Sequence, residues 1–428
     1  LKAEPTSLWS ISAGERIPAA PLDRDVTVDL AIVGAGFTGC SAALEAARRG
    51  ASVAVFEASR VAFGGSGRNV GLVNAGLWLP PDQIISQMGE ADGTRLIDRL
   101  GQAPRLVFDL IERESIACEA TRSGTLHLAH SASGLADLRD RFAQGNRIGA
   151  PLRLLDAQDT ARRVGSGAFH GALLDPRAGT VQPLAYCAGL ARAAQGAGAR
   201  LHEGSAVSDI ARQGDGWHLT VNGRTVRARA VLVATNAYQS GLARPRTSFS
   251  TVNYSQFATA PLPDDLRARI LPGGEGCWDT GLVMTSIRTD RAGRLILGGM
   301  GDVAGPGGRA HAAWARRKLR VLFPELDGIA FEYQWSGRIA MTSDHVPKVL
   351  RFGPRGLAIF GYSGRGIAPG TAFGTAAAAA LLDDRPEAMP LPVVSGHTER
   401  FTTLRGAVFE AGATLIHALP PSRFQGRS

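Results

Sequence analysis

Apolar and polar positions change their period several times along the chain, and the first changes are the most regular. Val28-Asp-Leu-Ala-Ile-Val33 is a mostly apolar run, suited to a strand buried on both faces. A helix-like segment, "CSAALEAARRG", ends at Gly50, and a second apolar run, "SVAVFE", ends in Glu57. Strand, helix and strand in that order predict a βαβ unit. Regular repeats then stop. Helix-like stretches over residues 93–114 and 135–145 flank an alternating, strand-like segment at 123–130. Helical composition returns at 188–196. It is followed by a strand, a hairpin turning at Asn222-Gly223, and a buried strand, "AVLVAT". Residues 248–301 are strand-rich with Gly and Pro breaks, a plausible wall for a substrate chamber. Near the end, "GLAIFGYSGRGIAPGTAFGTAAAAALL" predicts a strand, a Gly-rich turn and a small-residue helix beginning near Pro369. The first 25 residues, punctuated by Pro5, Pro18 and Pro21, are expected to be irregular.

The turn inside the βαβ unit carries chemistry. Gly34-Ala-Gly36-Phe37-Thr38-Gly39 has the GxGxxG spacing with a strand before it and a helix after it. Gly34 makes the turn, Gly36 lets a pyrophosphate approach the backbone, and Gly39 lets helix and strand pack closely. The helix N-terminus offers unpaired N–H groups and partial positive charge to phosphates. Glu57 closes the second strand at about the spacing expected of a carboxylate that binds ribose, which disfavours a 2′-phosphorylated dinucleotide. The pattern predicts an α/β fold with a Rossmann-like dinucleotide-binding domain. The loop that follows, "GGSGRNVG" at residues 64–71, reads in isolation either as a linker or as a surface shaped to lie against a flat, charged ligand.

Composition narrows the choice. With 428 residues, 44% of them hydrophobic, the chain suits two domains and not a disordered protein. No apolar run approaches the roughly 20 residues of a membrane-spanning helix. The four cysteines, Cys40, Cys118, Cys187 and Cys277, are scattered, which argues against zinc or disulfides and fits a reducing cytoplasm. Net charge is +9, yet Lys occurs only at positions 2, 318 and 348, and the arginines are spread along the chain. Only Arg316-Arg317-Lys318 clusters, so no nucleic-acid partner is expected. The N-terminus lacks a charged-then-apolar leader pattern and begins without Met, which suggests that it is trimmed.

The segment from Ser7 through "GGSGRNVG", "ATNAY" at residues 234–238, and the blocks "WSGRIAMTSDHVP" and "FGYSGRGIAPGTAFG" closely resemble the D-amino-acid-oxidase-like flavoprotein family. Within it, the γ-glutamylputrescine oxidoreductase branch is the nearest likeness. The resemblance runs from about residue 7 to 392 and is loose in the centre. It implies non-covalent FAD as cofactor and a β-rich α+β substrate domain inserted into the Rossmann-like one, as in glutathione-reductase-type folds. The FAD-binding domain is expected at 1–80, 165–245 and 335–395, the substrate domain at 81–164 and 246–334, and a helical tail at 396–428. By resemblance, the loop at 64–71 is a cofactor cradle. The cofactor contacts implied are Gly34, Gly36, Phe37, Thr38, Gly39, Glu57, Ala58, Ser66, Gly67, Arg68, Asn69, Val207, Ala234, Thr235, Gly361, Gly364, Arg365, Gly366 and Ile367. Gly364 and Arg365 are implied to tune the flavin electrostatically. Arg122, Arg288 and Tyr254 are candidates for substrate contacts.

The activity implied is oxidation of a C–N bond of a primary or secondary amine. Hydride passes to flavin N5 and the imine is hydrolysed, with O2 or another compound as electron acceptor. Departures shape this expectation. No Cys follows Cys277 and no His lies in the 64–71 loop, so the covalent attachment points of relatives are missing. The strand "GRLILGG" lacks the Lys that some oxidases use with oxygen. The position that supplies a carboxylate-binding Arg in amino-acid oxidases falls on Ile339, with Arg338 one place away. His127 and His345 read as structural. Amino-acid or glycine/sarcosine-type oxidation, an NAD-dependent dehydrogenase and an RNA-directed scaffold remain the competing readings.

Overall fold

The computed structural model describes residues 7–239, 241–242 and 244–419. Two large sheets organise it. The first has nine strands, and its central strand, Val26–Val33, lies parallel to Val53–Phe56 on one side and to Arg224–Val233 on the other. Arg200–His202 extends one edge, while Gly356–Phe360, Lys348–Gly353 and Val393–Val394 extend the other. The burial of Leu30, Ala31, Ile32 and Val33 is nearly complete. That is the environment a continuous apolar run predicts, because helices or strands cover both faces of a parallel sheet.

The hairpin turns where expected. Asn222 and Gly223 both adopt positive φ, at 50° and 74°, between Gly216–Val221 and Arg224–Val233. Only left-handed central residues match the right-handed twist of the flanking strands in a two-residue turn.

Helices Phe37–Arg48 and Ile367–Leu382 pack on the same face of this sheet and against each other. A Cβ on Gly374 would lie 2.2 Å from the Thr38 carbonyl oxygen, so the small-residue pattern of the second helix sets the close approach. The Thr38 hydroxyl hydrogen-bonds the Tyr362 hydroxyl at 2.8 Å and ties the two βα units together.

The second sheet has eight strands in the order Phe331–Met341, Ser250–Pro261, Arg294–Met300, Thr285–Thr289, Gly276–Asp279, Thr125–Leu128, Ala172–Asp175 and Arg153–Leu155. This membership differs from the expected boundaries at 165 and 335. Ala172–Asp175 and the whole of Phe331–Met341 hydrogen-bond within the second sheet. Local pattern cannot reveal which sheet a strand joins, because both environments bury the same alternate side chains.

The expected irregular N-terminus also needs correction, since Leu8–Ser12 is a short helix capped by Ser7. Trp9 is fully buried, edge-on to Trp335 at 5.8 Å between ring centroids, and donates its indole N–H to the Asn69 carbonyl. The expected tail contains the helix Thr402–Ala418, which packs on the second sheet and on Gly308–Leu322. Residues 420–428 of that tail lie outside the described residues. Among the described residues, no helix is long and apolar enough to cross a membrane, and no cluster of His, Cys, Asp or Glu could hold a metal ion.

Candidate active site

The expected dinucleotide turn is assembled around atoms that leave no room for side chains. Gly34 has φ of 101°, and a Cβ there would lie 3.0 Å from the Ala234 carbonyl oxygen. Gly39 is tighter still, its added Cβ falling 1.9 Å from the Gly34 carbonyl oxygen. Ala234 N–H donates to the Val33 carbonyl at 2.8 Å, which brings Ala234 and Thr235 beside the turn. Glu57 lies at the end of the second strand. One carboxylate oxygen accepts from Ala35 N–H at 2.9 Å and the other from Ser59 N–H at 3.0 Å. Burial pushes its carboxyl pKa above the ordinary value, and the backbone donors oppose that push. A carboxylate has about four lone-pair sites, so acceptor capacity remains for ligand hydroxyls. Ala58 follows it directly, and the Glu57 carbonyl accepts from Ser205 N–H at 2.8 Å. Val207 begins the next strand but is packed into the hydrophobic core beneath the sheet.

The loop 64–71 folds across the end of the first helix. Gly65–Gly67 forms a single 3₁₀ turn, and Ser66 Oγ accepts from Phe37 N–H at 3.0 Å. A Cβ on Gly36 would lie 2.8 Å from that hydroxyl oxygen, and one on Gly67 would lie 2.3 Å from the Ala62 carbonyl oxygen. Asn69 holds the loop together from inside: its amide donates to the Gly65 and Ser66 carbonyls, and its oxygen accepts from Gly71 N–H. Arg68 stacks on Phe63 and donates to the Phe63 and Ser336 carbonyls. The loop is therefore a shaped shelf fastened to both sheets.

Gly361, with φ of 82°, turns the chain out of Gly356–Phe360, and its N–H donates to Asn236 Oδ1 at 3.0 Å. The turn continues through Gly364, also at positive φ, and Arg365 into the helix that begins at Ile367. Its N-cap residue is Gly366, and no side chain caps it. The first dinucleotide helix is likewise without an N-cap side-chain hydrogen bond at Gly36. Ser131, Asp156 and Gln182 cap other helices, while Pro81–Met88, Glu90–Arg113, Asp264–Arg267, Gly308–Leu322 and Thr402–Ala418 lack a capping side chain too. The N-terminus at Ile367, and the one at Phe37 whose first N–H donates to Ser66 Oγ, carry partial positive charge that would suit a dinucleotide's pyrophosphate. The residues fit FAD on that ground.

A cavity of about 140 Å³ lies beside the Gly361–Ile367 turn. Leu77, Leu79, Leu96 and Leu100 form its apolar part, while His127, Arg141, Asp175, Arg177, Trp278 and Arg365 bring polarity. Arg365 sits between two indoles, 5.2 Å from the Trp78 ring centroid and 4.6 Å from that of Trp278. Burial first, then the nearby charge of Arg141, draws its pKa down to about 9, against the pull of Asp175. His127 stacks on Trp278 at 4.9 Å, and burial with Arg141 and Arg365 holds its pKa well below the ordinary imidazole range. It is neutral near pH 7 and cannot act there as a cation.

The proposed substrate contacts divide. Arg122 is exposed, stacked on Phe108 and paired with Glu112, away from the cavity. Arg288 is 2% exposed and donates to the Val181, Val70 and Gly71 carbonyls; burial lowers its pKa to about 10. Its guanidinium lies over Trp9, so it fastens the cradle loop to the second sheet and does not line the cavity. Tyr254 donates to Ser286 Oγ at 3.1 Å, and its strand register sets it beside Gly337. Ile339 pairs with Val252 in an unbroken stretch of ladder, the nearest irregularity lying at Ala258/Thr259. Its Cδ1 lies 3.9 Å from where a Gly364 Cβ would stand, whereas Arg338 is exposed and stacked on Tyr238. Alternation along a regular strand separates the two. Trp78, Trp278 and Arg141 escaped the sequence reading, because nothing in their local spacing marks them, and Asn236 lay in the 234–238 block without being singled out.

Comparison with known proteins agrees with this geometry. Residues 29–380 match the model of the DAO family, FAD-dependent oxidoreductases. γ-Glutamylputrescine oxidoreductase of Escherichia coli K12 is 32% identical over 368 residues, spanning 85% of each chain. A probable oxidoreductase, OrdL, of Rhizobium meliloti is 32% identical over 341 residues, spanning 79% of each chain. The crystal structure of glycine oxidase from Geobacillus kaustophilus superposes with a TM-score of 0.68 at 25% identity, covering 84% of this chain and 95% of that one. The chain belongs to the DAO family of FAD-dependent oxidoreductases, enzymes that use bound FAD for redox chemistry.

Proposed function

We propose that this enzyme oxidises the C–N bond of a primary or secondary amine that carries no carboxylate on the reacting carbon. The observation that carries the reading is Ile339. A carboxylate buried at that point needs a paired cation, since an unpaired buried ion costs several kcal/mol. Ile339 supplies none, and Arg338 is turned away and stacked on Tyr238. The same regular ladder removes the local bulge that would bring Arg338 inward.

Bound FAD supplies the acceptor for the hydride leaving the amine carbon. In this reading the Gly34–Gly39 turn, Glu57 and the Ser66 shelf hold the dinucleotide. The open N-terminus of Ile367–Leu382 stabilises negative charge near the ring, and Arg365 adds to that field. The apolar wall of Leu77, Leu79, Leu96 and Leu100 excludes water and favours a neutral amine. Release of the imine to water gives an aldehyde or ketone, with O2 or another compound reoxidising the cofactor. Four buried free cysteines support placement in a reducing compartment such as the cytoplasm.

The test is anaerobic mixing of the yellow holoenzyme with D-alanine, glycine, putrescine and γ-glutamylputrescine, following loss of the visible flavin band. Faster bleaching by the carboxylate-free amine carbons supports the reading. Fastest bleaching by D-alanine or glycine refutes it.

A further inference from the structure

The helix Thr402–Ala418 turns an apolar face outward as well as inward. Inward, a Cβ on Gly406 would lie 2.8 Å from the Thr251 carbonyl oxygen, Glu410 accepts from Asn253 Nδ2 and Asp302 N–H, and Ala413 and His417 are buried. Outward, Leu404, Val408, Ala411 and Leu415 follow one another at spacings of four, three and four, which places them on one helix face. Leu404 and Val408 are each 62% exposed and Leu415 is 61% exposed. Of the nine large apolar side chains exposed among the described residues, five fall within 401–415, so they form a cluster and not the scatter ordinary on a surface. Phe401, 75% exposed, opens the helix at φ of 57°, a strained conformation for a bulky residue. The turn there is fastened. Glu399 N–H donates to Ser248 Oγ at 2.8 Å, and its carboxylate accepts from Ser343 N–H at 2.7 Å and pairs with Arg405 at 3.3 Å.

Charge says what covers this face. Gly308–Leu322 packs beside the helix, with His311 and Trp314 against His417. It carries five basic residues and no acid, and residues 400–428 carry four arginines against Glu410, so the two stretches hold eight of the chain's nine net positive charges. Arg309, Arg316, Arg320, Arg400 and Arg405 are exposed. A second copy docked on the same face would set these charges against their like, which is costly. Nucleic acid would meet the arginines, but Leu404, Val408, Ala411 and Leu415 offer no donor to phosphates or base edges. An anionic bilayer suits both features, since its headgroups attract the arginines and its acyl boundary takes the apolar side chains. We propose that this enzyme docks on an anionic membrane surface through the outward face of Thr402–Ala418. Phe401, Leu404, Val408 and Leu415 enter the lipid, and the arginines of Gly308–Leu322 meet the headgroups. The inference is independent of which amine reacts.

Co-sedimentation of the yellow holoenzyme with vesicles tests this, because flavin absorbance reports the bound fraction without any substrate. Vesicles of equal parts phosphatidylcholine and phosphatidylglycerol are compared with vesicles of phosphatidylcholine alone. Affinity is expected to be about tenfold or more higher for the anionic vesicles, and to fall as salt is added and screens the headgroups. The double variant Leu404→Gln, Leu415→Gln is expected to lose about tenfold on both kinds of vesicle. The double variant Arg316→Gln, Arg320→Gln is expected to lose about twentyfold on anionic vesicles, roughly fivefold for each arginine, and nothing on phosphatidylcholine. All four side chains are exposed, so flavin content and thermal stability should match the parent. No sedimentation with either vesicle would overturn the proposal. So would binding that ignores the Leu404 and Leu415 changes, which leaves charge alone as its cause. A parent dimer in solution that the leucine changes dissociate would overturn it in favour of a second copy, and tRNA outcompeting the anionic vesicles would do so in favour of nucleic acid.

Discussion

Glu57 has two duties in this structure, and replacing it separates them. Its carboxylate accepts from Ala35 N–H at 2.9 Å and from Ser59 N–H at 3.0 Å, so it fastens the dinucleotide turn to the loop beyond the second strand. Its remaining lone pairs are the acceptors assigned to the FAD ribose. Glu57→Ala strands both backbone donors. A buried donor left unmatched costs about 1–3 kcal/mol, and water entering the vacated space recovers part of that. The apoprotein is therefore expected to lose about 1–3 kcal/mol of local stability. The hydrogen bonds to ribose add their own loss of about 1.5–3 kcal/mol, or roughly 10- to 100-fold in FAD affinity. Glu57→Gln keeps one acceptor oxygen and is expected to fall between the parent and Glu57→Ala. The assay is titration of apoprotein with FAD by fluorescence quenching, beside hydrogen exchange of residues 34–39 and 57–67 in the apoprotein. Both variants binding FAD as tightly as the parent would refute the cofactor assignment. Weakened loop protection with unchanged FAD affinity would leave Glu57 as a structural fastener alone.

Other expectations are simpler to check. Acid precipitation should release the yellow colour into the supernatant, because no Cys follows Cys277 and no His lies in the 64–71 loop, the attachment points of covalent relatives; colour kept in the pellet contradicts this. Gly39→Ala places a carbon 1.9 Å from the Gly34 carbonyl oxygen, so helix and strand must separate, and the variant should be recovered with little or no FAD. Acid should loosen the helix Thr402–Ala418. His417 is buried, close to His311 Nδ1 at 2.7 Å and near Arg317, Lys318 and Glu410, and burial above all draws its pKa down to about 3. The undocked helix takes up a proton below about pH 6.5 and the docked one does not, so docking is full above that pH and weakens as pH falls toward 3. Hydrogen exchange of residues 402–418 at pH 7.5 and 5 reads this directly, and equal protection at both would contradict it.

The βαβ unit could be read locally because its constraints are local. Val28 to Val33 had to be covered on both faces, and Gly39 answers a contact within the same turn, with the Gly34 carbonyl, although Gly34 and Gly36 also make room for Ala234 and Ser66. The Asn222-Gly223 hairpin is legible for the same reason, its twist being fixed by two residues. Local reasoning also separated Ile339 from Arg338, since alternation along a strand depends only on position in the chain. Tertiary structure decided what depends on neighbours distant in sequence. Pairing partners alone assign Ala172–Asp175 and Phe331–Met341 to the second sheet. Arg122, Arg288 and Arg365 look alike in sequence. Packing alone sets one against Glu112 at the surface, buries one among carbonyls, and leaves one between Trp78 and Trp278 facing the cavity. A guanidinium's role depends on the partners around it, and for Arg288 and Arg365 those partners come from segments scores of residues apart.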